Sequence, residues 1–237
     1  VSPTHPPAVA AFDFDGTLTN GGSVLQFLVA LRGHGPVTLA VLRNLAGIVR
    51  GGLVGGATAD DAKEALFMGT LAGVPVADAE RTGAEFAERH LRRRLRHDAR
   101  ERLEWHKKRG DLVVVVSASP EFYVRPAAEL LGAHGAIATR LEASGGLLTG
   151  RYQGKNCRGA EKYAGITAWI RSQGLGPDQP ILWAYGNSRG DRRLLEAADY
   201  PVNAGRLGRF GRLGRYPTLS QVLLDASLPG AGSTIHP

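Results

Sequence analysis

Asp13 and Asp15 stand two positions apart at the end of the apolar run AVAAF and are followed at once by Gly16 and Thr17. Two carboxylates so close can divide a reaction between them, one attacking as a nucleophile while the other carries protons. On an extended strand both would point to one face, but where the strand ends the second can swing aside. An Asx turn is the plain structural alternative for an Asp-Gly pair. Farther on, Ser117 closes the run LVVVV and Pro120 opens the next segment. There a hydroxyl and free backbone N–H groups would meet an anion, or simply cap a helix. Lys155, Arg158 and Lys162 crowd the segment GKNCRGAEK, and Asn187 and Asp191 follow the apolar run ILWAYG. The first group supplies cations that offset charge on an anionic substrate, the second oxygen donors suited to a hard cation.

For these residues to meet, the chain must bring several strand ends together. AVAAFDF reads as a buried parallel strand, DLVVVVS as a second, PILWAYG (180–186) as a third, with a short strand near YPVN. Helices are expected at 96–109, at SPEFYVRPAAELLG with Pro120 in its first turn and Gly132 at its end, at 159–173 and at 188–198. AIATRLEASGGLLTGRYQG reads as a strand plus a hairpin turning at Ser144, Gly145 and Gly146. Between about 23 and 94, apolar residues recur at three- and four-residue spacings with Pro and Gly between them, an all-helical pattern. Phe27, Phe67 and Phe86 fall at core spacings within it. The fold class is therefore α/β, a doubly wound parallel sheet with a small all-helical cap inserted after the first strand, and ligands belong beyond the carboxyl ends of the strands. The core is expected to comprise 1–20 and 95–237, with 1–7 and about 228–237 flexible, and the cap 21–94.

The motifs D-F-D-G-T, VVVVSASPEF, N-C-R-G-x-E-K and G-N-S-R-G-D, taken in that order across residues 12 to 203, resemble those of the haloacid dehalogenase superfamily. The wording of the third is similar to its phosphoserine-phosphatase-like branch, subfamily IB. That resemblance implies a phosphomonoesterase working through an aspartyl-phosphate. Asp13 would be the nucleophile, and Asp15 would protonate the leaving oxygen and then activate water. Thr17, Ser117, Ala118 and Lys162 would bind the phosphate, with Arg158 as the alternative cation. Mg²⁺ would be held by Asp13, the backbone carbonyl of Asp15 and Asn187, while Asp191 binds it through water or orients Lys162. Asn187 departs from the family pattern, which has an acid there; the lost charge weakens metal affinity. It also opens a reading as a catalytically impaired phosphate or nucleic-acid binder; a phosphoryl-transferring mutase is a further alternative. Phosphoserine phosphatases carry a glutamate about seven residues after their second aspartate, where this chain has Gly22. The resemblance thus implies a small phosphorylated substrate other than phosphoserine.

Composition sets outer bounds. With 29 Lys and Arg against 22 Asp and Glu, the formal charge of +7 favours anionic partners. Yet neither HLRRRLRH nor the helix after it carries a nucleic-acid motif or interleaved aromatics, so nucleic acid is not expected as a partner. Arg32, His34, Arg43 and Arg50 in the insert could contact an anionic substrate, with exposed surface charges as the plain alternative. The single cysteine, Cys157, excludes an internal disulfide framework and points to a reducing compartment, the cytoplasm. VSPTHPP reads as a flexible leader and not a signal peptide. No apolar stretch reaches the roughly 18 residues of a membrane span. The basic GRLGRFGRLGR (205–215) reads as a solvated turn or frayed helix, with phosphate or acidic-surface steering as the alternative, and SLPGAGSTIHP as a disordered tail. Nothing in the sequence sets the oligomeric state.

Overall fold

Five parallel strands carry the site, and their order follows from which runs can be buried on both faces. The computed structural model describes residues 7–176, 180–206 and 213–224. The central strand β1 (Ala8–Phe12) is buried at every position. It lies between β2 (Leu112–Pro120) and β6 (Ile181–Gly186), with β3 (Gly135–Thr139) and β7 (Tyr200–Asn203) at the edges, giving the order β3-β2-β1-β6-β7. The β-branched run of β2 suits a pleated, fully covered strand.

Alternation along β1 divides the core. Val9 and Ala11 face a cluster with Ile166 and Ile170 of α8 (Ala160–Ser172) and Leu194 and Leu195 of α9 (Arg192–Ala197). Ala8, Ala10 and Phe12 face the other side, with Leu103 of α6 (His97–Arg109), Tyr123 and Ala127 of α7 (Glu121–Leu130) and Val222 of the terminal α10 (Leu219–Leu224). Helices thus cover both faces of a doubly wound parallel sheet.

Between β1 and α6 lie five helices, α1 (Val24–Arg32), α2 (His34–Arg43), α3 (Leu45–Val54), α4 (Gly56–Leu71) and α5 (Val76–Arg94). They share the second core cluster with the sheet, because Phe27, Phe67 and Phe86 are buried in it alongside Tyr123. Tyr123 is the pivot of that seam, 4.8 Å from Phe27 and 5.1 Å from Phe86 between ring centroids. The hairpin β4 (Leu141–Ser144)–β5 (Leu147–Tyr152) reaches up from the core and docks on α4, where the Tyr152 N–H donates to Glu64 Oε1 at 2.8 Å.

One detail of the insert is new, and two local expectations change. The run PVTLAVLRNLAGIV is two helices, bent by 68°. Asn44 leaves helical geometry there, and its side-chain amide donates to the Ala40 carbonyl at 2.9 Å, closing α2. Pro120 is not inside the first turn of α7; it ends β2 and caps the helix. The helix expected at 188–198 starts as a 3₁₀ turn, Arg189–Asp191, because the carboxylate of Asp191 folds back onto Ser188 before α9 begins. The expectations for the leader, for the Gly-rich tail and for most of GRLGRFGRLGR lie outside the described residues.

Candidate active site

Register alone sets the first three groups side by side. Phe12 pairs with Val115 on one side and Tyr185 on the other, so β1, β2 and β6 reach their carboxyl ends together. Asp13 and Asn187 leave the sheet at that edge, and Ser117, still paired with Ala138 of β3, lies two positions past Val115 on β2. The Asp13 N–H donates to the Tyr185 carbonyl at 2.9 Å, which extends the ladder to the carboxylate-bearing residue. The chain then turns at Gly16, whose φ of 81° is the left-handed region. A Cβ at Gly16 would also collide with the side-chain amide of Asn187, so glycine is what lets the β6 loop close against the β1 loop.

Lys162, in the first turn of α8, is fully buried and donates to Asp13 Oδ1 and Asp191 Oδ1, both at 2.5 Å. Asp191 is held rigidly for this. Its Oδ2 accepts from the Asn187 N–H at 3.1 Å, the Ser188 N–H at 2.9 Å and the Ser188 hydroxyl at 2.8 Å. Burial opposes its charge, but Lys162 and these donors outweigh that and keep the carboxyl below the usual range. Asp13 is poised differently. Burial and then the charge of Asp191 push its carboxyl up to about 7, against the pull of Lys162. Its Oδ2 accepts from the Thr17 hydroxyl at 3.1 Å, and the same hydroxyl lies 3.4 Å from Asn187 Oδ1.

The second carboxylate has swung away from the first. Asp15 Oδ2 accepts from Ser23 at 2.9 Å and from Ser119 at 2.5 Å, while its Oδ1 is buried without a partner among the described residues. Ser117 is buried, and its hydroxyl accepts from the Ser119 N–H at 3.0 Å.

These strands, loops and carboxylates match a known pattern. A family model described as haloacid dehalogenase-like hydrolase covers residues 10–196. The chain belongs to that family. It is 35% identical over 196 residues to protein CicA of Caulobacter vibrioides, spanning 82% of this chain and 85% of that one. Among solved structures, a protein of unknown function from Bordetella pertussis Tohama I superposes with a TM-score of 0.71 at 28% identity, over 84% of this chain and 90% of the other. A phosphoserine phosphatase holding a phospho-aspartyl intermediate analogue superposes with a TM-score of 0.59 at 22% identity, over 84% and 87%. In sequence this haloacid dehalogenase-like hydrolase is related to phosphoserine phosphatases as well.

Phosphatases of the family typically use Mg²⁺, and the hydrolase's donor set can be tested for it. Asp191 and Asp15 both add negative charge around Asp13, against the buried ammonium of Lys162. No cluster of three His, Cys, Asp or Glu side chains converges as ligands among the described residues. Asp191 has both oxygens committed to Lys162 and the Ser188 turn. Asp13 Oδ2 and Asn187 Oδ1, by contrast, converge on one hydroxyl. One carboxylate plus neutral oxygens fits a hard ion that keeps several of its waters.

The remaining cations divide. Arg158, the alternative to Lys162, sits away from Asp13 and reaches Asp60 of α4 at 3.4 Å. Lys155 is exposed and pairs with Glu161 at 3.1 Å. Arg32, His34, Arg43 and Arg50 are all exposed on the insert. A cation that the motifs do not indicate enters instead. Lys63 of α4 donates to the Ala118 carbonyl at 2.5 Å and lies 3.3 Å from Asn156 Oδ1. Asn156 in turn donates to Asp60 at 2.6 Å and accepts from Thr139 at 2.7 Å. Burial pushes the Lys63 ammonium down to about 8, against the charges of Asp15 and Asp60. Its one sequence signal is spacing: Lys63 precedes Leu66 and Phe67 by three and four residues, at the edge of the buried face of α4.

Proposed function

We propose that this protein is a Mg²⁺-dependent phosphomonoesterase that passes the phosphoryl group through Asp13. The reading is carried by one arrangement: Asp13 is bound by a buried lysine that a second carboxylate fixes in place, while Asp15 keeps a buried, unpartnered oxygen nearby. Asp13 attacks phosphorus as its carboxylate, forming a carboxyl O–P bond as the ester P–O bond breaks. Protonated Asp15 gives its proton to the leaving oxygen, so the alcohol departs neutral. The Asp15 carboxylate then takes a proton from water as that water attacks phosphorus. The Asp13–phosphorus bond breaks, and inorganic phosphate leaves.

Lys162, Thr17, Ser117 and the backbone at Ala118 form the phosphate pocket in this scheme. Lys162 offsets the charge that builds as two anions approach. Asp13, the Asp15 carbonyl and Asn187 would hold the metal, which would supply further neutralisation of the charge on the phosphoryl group. Gly22 leaves no carboxylate where a phosphoserine ammonium would be met, so a different phosphomonoester is the substrate.

The test is hydrolysis of p-nitrophenyl phosphate with and without Mg²⁺. Release of p-nitrophenol that needs the metal and disappears in Asp13→Asn supports the reading; an Asp13→Asn variant as active as the parent overturns it.

A further inference from the structure

An apolar helix that buries almost nothing calls for a partner. α3 has the sequence LAGIVRGGLV, yet only Gly51 in it is buried. Seven of the ten exposed large apolar side chains among the described residues fall on α1–α3. Six of them, Leu39, Leu42, Leu45, Val49, Leu53 and Val54, lie on α2 and α3, with Leu53 79% exposed. Scattered exposed leucines need no explanation, but such a concentration on two consecutive helices marks a contact surface.

Charge says what the contact is. From residue 16 to residue 59 the chain holds no Asp or Glu, while Arg32, Arg43 and Arg50 are exposed among the leucines. A two-fold interface with a second copy would set this positive patch against itself. An apolar face rimmed by arginines instead matches the boundary between acyl chains and anionic headgroups. No single described helix is long and apolar enough to cross a membrane, and α2 and α3 are bent by 68°. That geometry lets both lie in the plane of a bilayer surface.

The patch also connects to the site. Beneath α3 is a cavity of about 250 Å³ lined by Leu25, Val41, Ile48, Ala62, Leu66 and Lys63. Lys63 is its only ionisable lining residue, and its ammonium leaves the cavity to reach the Ala118 carbonyl at 2.5 Å. Lys63 thus links this apolar cavity to the end of β2, where Ser117 and Ala118 lie.

We propose that α2 and α3 dock on an anionic lipid surface and that the phosphomonoester cleaved is a lipid phosphate, its tail on the apolar side of Lys63 and its headgroup at Asp13. The docking stands alone; the substrate class rests on the phosphomonoesterase reading.

Vesicle flotation tests the docking without requiring activity. The full chain is mixed with phosphatidylcholine vesicles, with or without about 30 mol% phosphatidylglycerol. Flotation is expected only with the anionic vesicles, and Arg43→Glu/Arg50→Glu is expected to abolish it. Leu42→Asp/Leu53→Asp is expected to lower the bound fraction at least ~10-fold. No flotation, or equal flotation of the leucine variant, overturns the docking. So does a wild-type dimer that the leucine variant turns into a monomer, since the patch then belongs to a second copy.

For the substrate, phosphate release from phosphatidic acid in the same vesicles is compared with p-nitrophenyl phosphate hydrolysis. The leucine variant should lose the first and keep the second. Equal loss of both, or no cleavage of the lipid by a wild type active on p-nitrophenyl phosphate, overturns the lipid assignment. Flotation by a protein inactive on both would sink the phosphomonoesterase reading and the lipid-substrate assignment with it, leaving the docking intact.

Discussion

Single side chains decide how strongly the pocket holds charge. Asn187 contributes a neutral oxygen beside Asp13. Replacing it by Asp adds a carboxylate to the donor set, so Asn187→Asp should tighten Mg²⁺ binding on the order of tenfold in a calorimetric titration, since ligand charge sets affinity for a hard cation. An unchanged titration would remove Asn187 from the ligand set. Lys63 acts on the opposite charge. Its ammonium is enclosed and titrates at about 8, so it is cationic below that pH and neutral above it. Lys63→Met should lower kcat/KM for p-nitrophenyl phosphate roughly 10- to 100-fold at pH 7, the worth of about 1.5–3 kcal/mol for a charged hydrogen bond. The deficit should narrow above pH 8, where the parent loses the charge too. These two residues also mark what a sequence can disclose about a site. Asp13 and Asn187 each follow an apolar run directly, and Asp15 and Asp191 come within five residues of one, so the sequence places all four at the ends of two strands. Lys63 comes 48 residues after Asp15 on an inserted helix. Its place over Ala118 depends on how the insert packs, and local spacing carries no record of that.

Elements show the same division. The strands and core helices were legible because each run carries its own period and its own Pro or Gly boundary. Their register and order were not, since pairing is settled between segments and not within them. The split at Asn44 depends on one side chain turning back on a carbonyl, a choice that periodicity cannot express. The junction of insert and core is likewise tertiary. Gly83 of α5 sits where a Cβ would strike the Phe122 carbonyl of α7, an element-to-element contact that backbone cannot easily yield. Gly83→Ala should therefore cost about 1–3 kcal/mol, read as a lowered Tm. Gly52→Ala on α3 is the matched control, because nothing lies within 4 Å of its would-be Cβ. That substitution should raise stability by up to about 1 kcal/mol through helix propensity.

At the scale of the whole molecule, a buried polar wall ties the strand end that carries Asp13 to the fold. Tyr185, whose carbonyl receives the Asp13 N–H, stacks on Phe12 at 4.2 Å between centroids. Its hydroxyl meets Arg102 Nε at 2.7 Å and His106 Nε2 at 2.8 Å, and His106 Nδ1 meets Asp111 at 2.7 Å. Both ring contacts are satisfied by a neutral imidazole that donates from Nδ1 to Asp111 and accepts the Tyr185 proton at Nε2. Burial pushes the His106 ring down to about 4; Arg102 and Arg109 act in the same sense, and Asp111 opposes them. The unfolded chain, with an ordinary histidine near 6.5, binds the extra proton first, so its proton count exceeds that of the folded state between pH 6.5 and about 4. Stability contributed by this group is full above pH 6.5 and falls as pH drops through that window, by up to about 3 kcal/mol. General acid repulsion in a chain of net charge +7 would also lower Tm. His106→Gln separates the two effects. The variant should be less stable than the parent at pH 7.5, yet its Tm should fall less steeply between pH 6.5 and 4. Parallel Tm–pH curves for the two proteins would mean that the imidazole takes up its proton in the folded state as readily as in the unfolded one.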